Sequence, residues 1–400
     1  MKTSKNIAIL SIVVATKNRS EYLLSLIEVF SHISDSRLEL VISDNSDDKN
    51  LIVSKSILKN SHLSLIKYCH ISSNISMHEN YLNALKAATG SYVMCIGDDD
   101  FITPEIKVIV DYLESDKPNC IIQKENLRYW WPDVQHKHYK SKYSSRLRIP
   151  TRSTCAGNEL KFSIERSADA LEECLLKGGT EISMLPKFYH GIVSRVLVKK
   201  IEKEFGTLFP GATPDMSSAI AIVLSCDTFV STNACFFVSG TGDNSGGGSG
   251  VRREHIWKIK DVPWFSDKFI KAWPDSIIDV ACGPTLWASS VVSILKDRKR
   301  QDLLNKFNYA YLHAKCAHVD FGLIPIIIAF LIKKNHNHVP IILVLSIIFN
   351  YIKFLLKRFF SLVENIMSFY FSTTMHYKYW KDIKSPIQAN KVLSIVKINK

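Results

Sequence analysis

The sequence predicts an α/β fold, a mostly parallel sheet with helices on both faces. Three observations carry that prediction. Short β-rich apolar runs alternate with amphipathic helical stretches between residues 7 and 127. Repeated β-α-β order needs crossover connections, so the strands run parallel and are covered on both sides. The polar residues also gather where the apolar runs end, and ligands of open α/β sheets bind there.

The elements follow in order. Ile7–Val14 is the first predicted strand. Its eight-residue apolar run after Met1-Lys2-Thr3-Ser4-Lys5 imitates a secretory leader. The run is short, however, and Thr16-Lys17-Asn18-Arg19 offers no small-residue cleavage site, so a buried strand is the better reading. Ser20 is placed to N-cap a helix from Glu21 to about Ser31, with Tyr22, Leu26, Val29 and Phe30 on one face. Leu38–Ile42 and Leu63–Cys69 are the second and third strands. Ser76–Thr89 has helical spacing and stops at Gly90, a good residue just past a helix end. Tyr92–Ile96 is a fourth strand and runs into Gly97-Asp98-Asp99-Asp100. Thr103 and Pro104 open the next helix, and Cys120–Leu127 is a further strand. Residues 130–160 read as a long polar, aromatic and basic loop. Helices follow at Ala168–Lys177, Ile192–Phe205 and Met216–Leu224, then a strand at Phe229–Val238. Gly240–Gly250 is Gly/Ser-rich and reads as a mobile lid. Residues 276–318 are helical, and 321–371 are strongly apolar.

Composition narrows the function. The 400 residues carry a net charge of +13, which by itself suggests nucleic acid. From Lys296 to Lys400 there are 17 Lys and Arg against 5 Asp and Glu, whereas residues 1–295 hold 34 against 33. The larger part is nearly neutral, so no nucleic-acid partner is expected. Apolar segments bordered by Lys333, Lys334, Lys353, Lys357 and Arg358 suit an anionic membrane surface. Phe321–Ile332 and Val339–Leu356 have 12 and 18 residues, short of the roughly 20 that span a bilayer. A buried helical pair or a single short span are the alternatives. Nine scattered cysteines without a CxxC pair read as reduced core residues of a cytosolic protein, with no structural zinc site expected.

The chemistry concentrates at three strand ends. Asp98-Asp99-Asp100 are adjacent carboxylates that repel one another, and at a strand end they suit a hard divalent cation, Mg²⁺ or Mn²⁺. Such an ion can neutralise a phosphate leaving group. A solvated acidic turn is the bland alternative. Asp44 ends the second strand and reads either as turn chemistry or, beside Thr16, Asn18 and Arg19, as a nucleoside contact. Tyr189-His190-Gly191 is an acceptor or phosphate contact, or a structural histidine. Trp130, Trp131, Trp257 and Trp264 either stack on sugars or pack the core. Gly240-x-Gly242-x-x-x-Gly246 misses the dinucleotide spacing, and no Gly-Lys-Ser/Thr phosphate loop occurs.

Three segments together resemble the family 2 glycosyltransferases of GT-A fold. They are Leu10 through Arg19, Leu40-Val-Ile-Ser-Asp44-Asn-Ser, and Gly90 through Pro104 with its Gly97-Asp98-Asp99-Asp100. The Gly-Asp-Asp-Asp form is similar to the branch with abequosyltransferase-like enzymes of bacterial O-antigen synthesis. The commoner form has Asp where Gly97 stands. The resemblance covers about 105 residues and weakens after 130. It implies a hexosyltransferase that takes a sugar from a nucleotide-diphosphate donor to a lipid-linked glycan, with Mn²⁺ or Mg²⁺ as cofactor. Thr16, Asn18, Arg19, Asp44 and Asp98 would bind the nucleotide, and Asp98, Asp99 and Asp100 the metal, with Asp99 or Asp100 at the usual ligand position. A carboxylate in the second half would serve as base. Asp215, in Pro210-Gly-Ala-Thr-Pro-Asp215-Met216 at a helix start, fits better than Glu181 or Asp227; helix capping by Thr213 or Asp215 is the alternative. The resulting organisation is a GT-A domain over 1–260, with a nucleotide half 1–128 and an acceptor half 129–260. A helical extension over 261–320 and a membrane-associating tail over 321–400 follow. The expected location is the cytoplasmic side of the inner membrane, peripheral or monotopic. Rival functions are a transferase for capsule or protein-linked glycan, a sugar-phosphate nucleotidyltransferase, and a basic nucleic-acid binder.

Overall fold

The computed structural model describes residues 8–47, 65–73, 75–134, 144–245, 256–262, 265, 267–335, 339–371, 374 and 376–398. Ile7, Leu63, Gly246–Gly250 and Trp264 lie outside them, so the expected lid is described only as far as Ser245.

The N-terminal strands are β1 (Leu10–Thr16), β2 (Leu38–Asp44), β3 (Ile66–His70), β4 (Tyr92–Ile96) and the short β5 (Phe101–Ile102). The helices between them are α1 (Ser20–Ile33) and α2 (Met77–Ala87), and α3 (Ile106–Asp116) follows β5. Then come β6 (Cys120–Gln123), β7 (Arg128–Trp130), β8 (Arg146–Pro150), β9 (Phe162–Arg166), α4 (Ser167–Leu176), β10 (Gly191–Ser194), α5 (Arg195–Phe205), α6 (Pro214–Ser225), β11 (Thr228–Thr232) and β12 (Phe237–Thr241). The main sheet has the order β3-β2-β1-β4-β10-β6-β11-β9. β3, β2, β1 and β4 pair in parallel, β10 is antiparallel to both β4 and β6, and β9 is antiparallel to β11.

Burial on both faces explains the continuous apolar runs of the central strands. Leu10, Ile12 and Val14 pack with Leu23, Leu26 and Phe30 of α1 and Ile106 and Ile109 of α3. Val13 and Ala15 point the other way, against Tyr81 and Leu85 of α2 and Leu197 and Ile201 of α5. A separate helical core joins α4 and α6 to α7 (Gly283–Asp297), α8 (Tyr309–Val319) and α9 (Ile324–Lys334).

Several sequence expectations change. Arg19, not Ser20, holds the N-cap position of α1, and no side chain caps it. α2 is capped by Ser76 in a reciprocal box with Glu79, but it ends in extended backbone at Ala88. Gly90 therefore serves close approach: a Cβ there would lie 2.6 Å from the Ser11 hydroxyl oxygen. Ile192–Phe205 is not one helix. Gly191–Ser194 forms β10, and Ser194 then caps α5 by accepting from Leu197 N–H at 3.2 Å. Phe229–Val238 splits into β11 and β12, and the 130–160 loop contains β8.

The tail is also different from a simple appendage. α10 (Ile341–Phe371) runs 31 residues. No helix among the described residues is long and apolar enough to cross a membrane. The chain then returns. β13 (Trp257–Lys258) and β14 (Val280–Ala281) form a small ribbon, and β15 (Tyr377–Trp380) joins a second sheet, β15-β8-β7-β12-β5. α11 (Pro386–Ile398) places Ala389 and Leu393 in the same core as α1. Tyr129 donates its hydroxyl to Ile383 O at 3.0 Å, and Asn390 its amide to Ile102 O at 3.1 Å. The stretch 321–400 is thus two things, an apolar helical segment and a closing piece of the N-terminal core.

A buried acid ties the sheet's lower edge. Glu39 of β2 accepts from the Ser11 hydroxyl at 2.5 Å and pairs with Lys67 at 2.7 Å, with Thr89 adding a hydroxyl at 2.8 Å. Burial works to raise its pKa, but Lys67, Ser11 and Thr89 together hold it down at about 2. A depressed folded pKa contributes stability above the unfolded carboxyl range that is lost as pH falls toward 2. Glu39→Ala should therefore destabilise the protein at pH 7 by on the order of 3 kcal/mol. In denaturant titrations the gap to the parent should narrow between about pH 4.5 and pH 2; a gap independent of pH would remove Glu39 from this role.

Candidate active site

The carboxyl ends of β1, β2 and β4 open onto one cleft of about 620 Å³. Thr16, Arg19, Asn45, Asp99, Asp100, His190, Asp215, Gly283 and Trp287 all line it. The first residues of α2, α6 and α7 all face it, as Ser76, Pro214 and Gly283. Helix N-termini bring unpaired N–H groups and partial positive charge, so the cleft favours anions despite its carboxylates.

The acidic triplet divides its three side chains. Asp98 is fully buried and turns beneath the cleft, where one oxygen accepts from Thr16 Oγ1 at 2.5 Å and pairs with Arg19 Nε at 3.0 Å. Its other oxygen has no partner among the described residues. Burial pushes the Asp98 carboxyl up to about 7, against the pull of Arg19. Asp99 lies on the cleft wall and accepts from Gly242 N–H at 3.2 Å. Burial and the neighbouring Asp100 raise its pKa. Asp100 accepts from Gly240 N–H at 2.8 Å and Gly97 N–H at 2.7 Å, and His190 Nε2 lies 2.5 Å from it. His190 stacks on Phe237 with ring centres 4.8 Å apart. The three carboxylates do not converge on a single point. Among the described residues the group that does so is Glu105, Cys155 and Cys235, where Glu105 already accepts from Thr154 and Cys235 N–H. Of the three aspartates expected to hold a cation, Asp99 and Asp100 line the cleft and Asp98 does not.

Backbone contact fixes the triplet. Trp131 donates its indole N–H to Asp99 O at 2.8 Å, so this tryptophan is a core brace. A Cβ on Gly240 would come within 1.8 Å of the same oxygen. The departure at Gly97 has a steric counterpart: a Cβ there would lie 2.8 Å from both Asp99 Oδ1 and the Tyr189 hydroxyl.

At the expected nucleoside end, Thr16 and Arg19 reach the cleft and Asn18 and Asp44 do not line it. Asn18 sits at φ 56°, a conformation Asn tolerates, and its amide bridges to Asp47. Asp44 is buried and doubly engaged, by Tyr68 OH at 2.7 Å and Ser46 N–H at 2.8 Å. Asn18 thus pins the loop after β1 to the loop after β2, and Asp44 fastens its own loop to β3. Asn45 and Asn80 occupy the wall instead. Asn80 was masked in the sequence by its helical context, and Asn45 had only its place after Asp44 to signal it.

Asp215 stands in the first turn of α6. Its Oδ1 accepts from Met216 N–H at 2.8 Å and its Oδ2 from Trp287 Nε1–H at 2.9 Å. Thr213 occupies the N-cap position without capping through its side chain; its hydroxyl lies 3.3 Å from that of Ser290. Glu181 pairs with Lys177 at 2.9 Å, and neither it nor Asp227 lines the cleft. Trp287 and Arg128, also on the wall, were not singled out from sequence because neither belongs to a local motif.

The comparisons with known proteins can now be set beside this geometry. Residues 11–165 match the glycosyl transferase family 2 model. The family 2 segment thus runs from β1 to β9 and includes the acidic triplet but not Asp215. No curated protein matches the chain. Among solved structures, residues 1–349 of S. aureus TarS in complex with UDP-GlcNAc align at TM-score 0.45 and 14% identity, over 86% of this chain and 89% of that one. The mannosyltransferase PcManGT from Pyrobaculum calidifontis, in complex with GDP-Man and Mn²⁺, aligns at 0.42 and 12%, over 98% and 87%. The chain spans 38% of the longer S. aureus TarS structure, at TM-score 0.37 and 15% identity. At TM-scores below 0.5 these likenesses carry no argument about this chain.

The steric role of Gly240 is directly testable. Gly240→Ala should force β12 off the triplet and lower stability by about 1–3 kcal/mol, the usual range for overpacking. A melting temperature equal to the parent's would mean that β12 is free to shift.

Proposed function

We propose that the chain is a metal-assisted glycosyltransferase of hexosyltransferase type. It moves one sugar from a nucleotide-diphosphate sugar to a hydroxyl of a lipid-linked glycan, in synthesis of a bacterial surface polysaccharide such as O-antigen. One observation carries the reading: a single cleft is lined by Thr16 and Arg19 after β1, by the Asp99–Asp100 pair, and by Asp215 at the start of α6. The family 2 match over residues 11–165 supports it.

Asp99 and Asp100 fit a hard divalent cation. Both line the cleft, and burial, then the neighbouring Asp100, raise the Asp99 pKa, a repulsion that a bound cation relieves. Mn²⁺ or Mg²⁺ held there would neutralise charge developing on the leaving diphosphate. The protein's own groups do the rest. Arg19 adds positive charge at the nucleotide end, and the N-terminal ends of α2, α6 and α7 at the cleft add partial positive charge that favours a phosphate. Asp215 is held by Met216 N–H and Trp287 N–H through one lone pair on each oxygen, and it keeps others to take a proton from the acceptor hydroxyl.

A thermal-shift screen of nucleoside diphosphates and nucleotide sugars, with and without Mn²⁺, tests donor binding, because a ligand of the folded state raises the midpoint. A metal-dependent rise with one nucleotide family is expected, and no rise with any of them would sink the reading. Asp215→Asn should keep that rise while transfer falls by roughly 10²–10⁴-fold, a typical general-base contribution. Near-parental turnover in this variant would remove Asp215 as base.

The location we propose is the cytoplasmic face of the inner membrane, reached through α9 and α10. Ile341, Ile342, Leu345, Phe349 and Phe360 on α10 are all more than half exposed. Lys353, Lys357 and Arg358 lie on the same helix, a composition suited to an anionic interface. Replacing Ile342, Leu345 and Phe349 together by Glu should release the protein from vesicles containing anionic lipid. Unchanged co-sedimentation would exclude α10 as the contact. Truncation at 318 is not an equivalent test, since it removes β15 and α11 from the core.

A further inference from the structure

The second sheet sets two arginines against each other. Arg128 of β7 lies directly opposite Arg148 of β8, and Trp130 opposite Arg146. On the other side of β8, Arg148 pairs with Tyr379 of β15. Directly opposed residues share a face, so these five and Tyr377 form one surface of cations and aromatic rings. The Arg148 guanidinium lies 4.3 Å from the Tyr377 ring centre and 5.7 Å from that of Trp130, and Arg128 lies 5.8 Å from Trp130. The Nε atoms of Arg128 and Arg148 are buried and have no hydrogen-bond partner among the described residues. Burial, and then the neighbouring Arg148, push the Arg128 guanidinium down to about 10. Like charges opposed across a strand pair are destabilising, and a buried orphan donor adds to the cost. An arrangement of this kind is relieved by an anion.

We propose that Arg128 and Arg148 form a phosphate-binding arm of the cleft, and that the phosphate belongs to the acceptor. Arg128 lines the cleft and stands within electrostatic reach of Asp100. Planar guanidinium forks stacked on aromatic rings match phosphate oxygens in pairs. The source follows from position. On the glycosyltransferase reading, which this inference rests on for its source alone, the donor diphosphate occupies Asp99 and Asp100. Arg148 lies beyond Arg128 on the second sheet and is absent from the cleft wall that those carboxylates share. The strand carrying Tyr377 and Tyr379 also follows α10, the helix with the exposed apolar residues. A phosphate or diphosphate that links a sugar to a hydrocarbon chain meets both features.

The probe is inorganic phosphate, titrated into the full chain by thermal shift and tryptophan fluorescence. It is run alone and with saturating nucleoside diphosphate and Mn²⁺. Phosphate should bind in both conditions. Arg148→Gln should raise its dissociation constant about tenfold and shift nucleotide affinity less than twofold, and Arg148→Lys should fall between, keeping charge without the fork. Arg128→Gln, checked by circular dichroism and melting temperature, provides the second variant should Arg148→Gln fold poorly. Unchanged phosphate affinity in the folded variants overturns the arm itself. Phosphate displaced one for one by nucleotide, or both ligands weakened alike by Arg148→Gln, assigns the site to the donor and overturns the acceptor source. If no nucleotide binds at all, the glycosyltransferase reading fails while the phosphate titration still reports on Arg128 and Arg148.

Discussion

Three adjacent carboxylates in a buried turn are the constraint on which the rest of this structure depends. Charges so close in a low-dielectric setting cannot share an environment. The fold answers by sending each one elsewhere. Asp98 goes down to Thr16 and Arg19, which ties β4 to β1 and to the start of α1. Asp100 takes two backbone N–H groups and meets His190, which draws in β12 and the approach to β10. Asp99 remains on the wall, its carbonyl braced by Trp131. The glycines at 97 and 240 allow this crowding. The positions of β1, β10 and β12 around the cleft are in this sense consequences of one acidic turn.

Much of the first half was legible from the sequence. Local pattern decides β1, β2, β4 and α1, because each buries a continuous or periodic set of residues against its immediate neighbours. The acidic triplet was legible for the same reason, as three polar residues that end an apolar run. The misses share a cause. β10 is four residues merging into a helix, and its identity comes from pairing with β4 and β6. β8 alternates in the manner of a strand, but its partner β15 lies near the far end of the chain. Asn18 and Asp44 were read by position in a motif, yet Asn18 bonds the loop after β2, and Asp44 bonds its own loop and Tyr68 of β3. Arg128 and Trp287 reach the cleft only through tertiary pairing, which no local spacing records.

The division of charge gains a structural meaning. The cationic final quarter divides into an apolar helical stretch with exposed Ile, Leu and Phe, and a return segment whose Ile383, Ala389 and Leu393 are buried in the first core. The charge is spread over both: α9 and α10 hold five of the quarter's seventeen Lys and Arg, and residues 378–400 hold six. It does not describe a detachable domain, since both ends of that helical stretch are fastened to packed structure.

That return segment also imposes an order on the folding of the chain. The core beneath α1 includes residues separated by almost the entire sequence, and the Tyr129 hydroxyl finds its acceptor at Ile383. During synthesis β1, α1 and β7 emerge early and then wait, with one side of their core open, while the apolar helices are made. Contacts so distant along the chain close last and slow the final step. A nascent chain in that state exposes its unfinished core and its apolar helices together, so completion of the first core is timed by the emergence of residues 383–393.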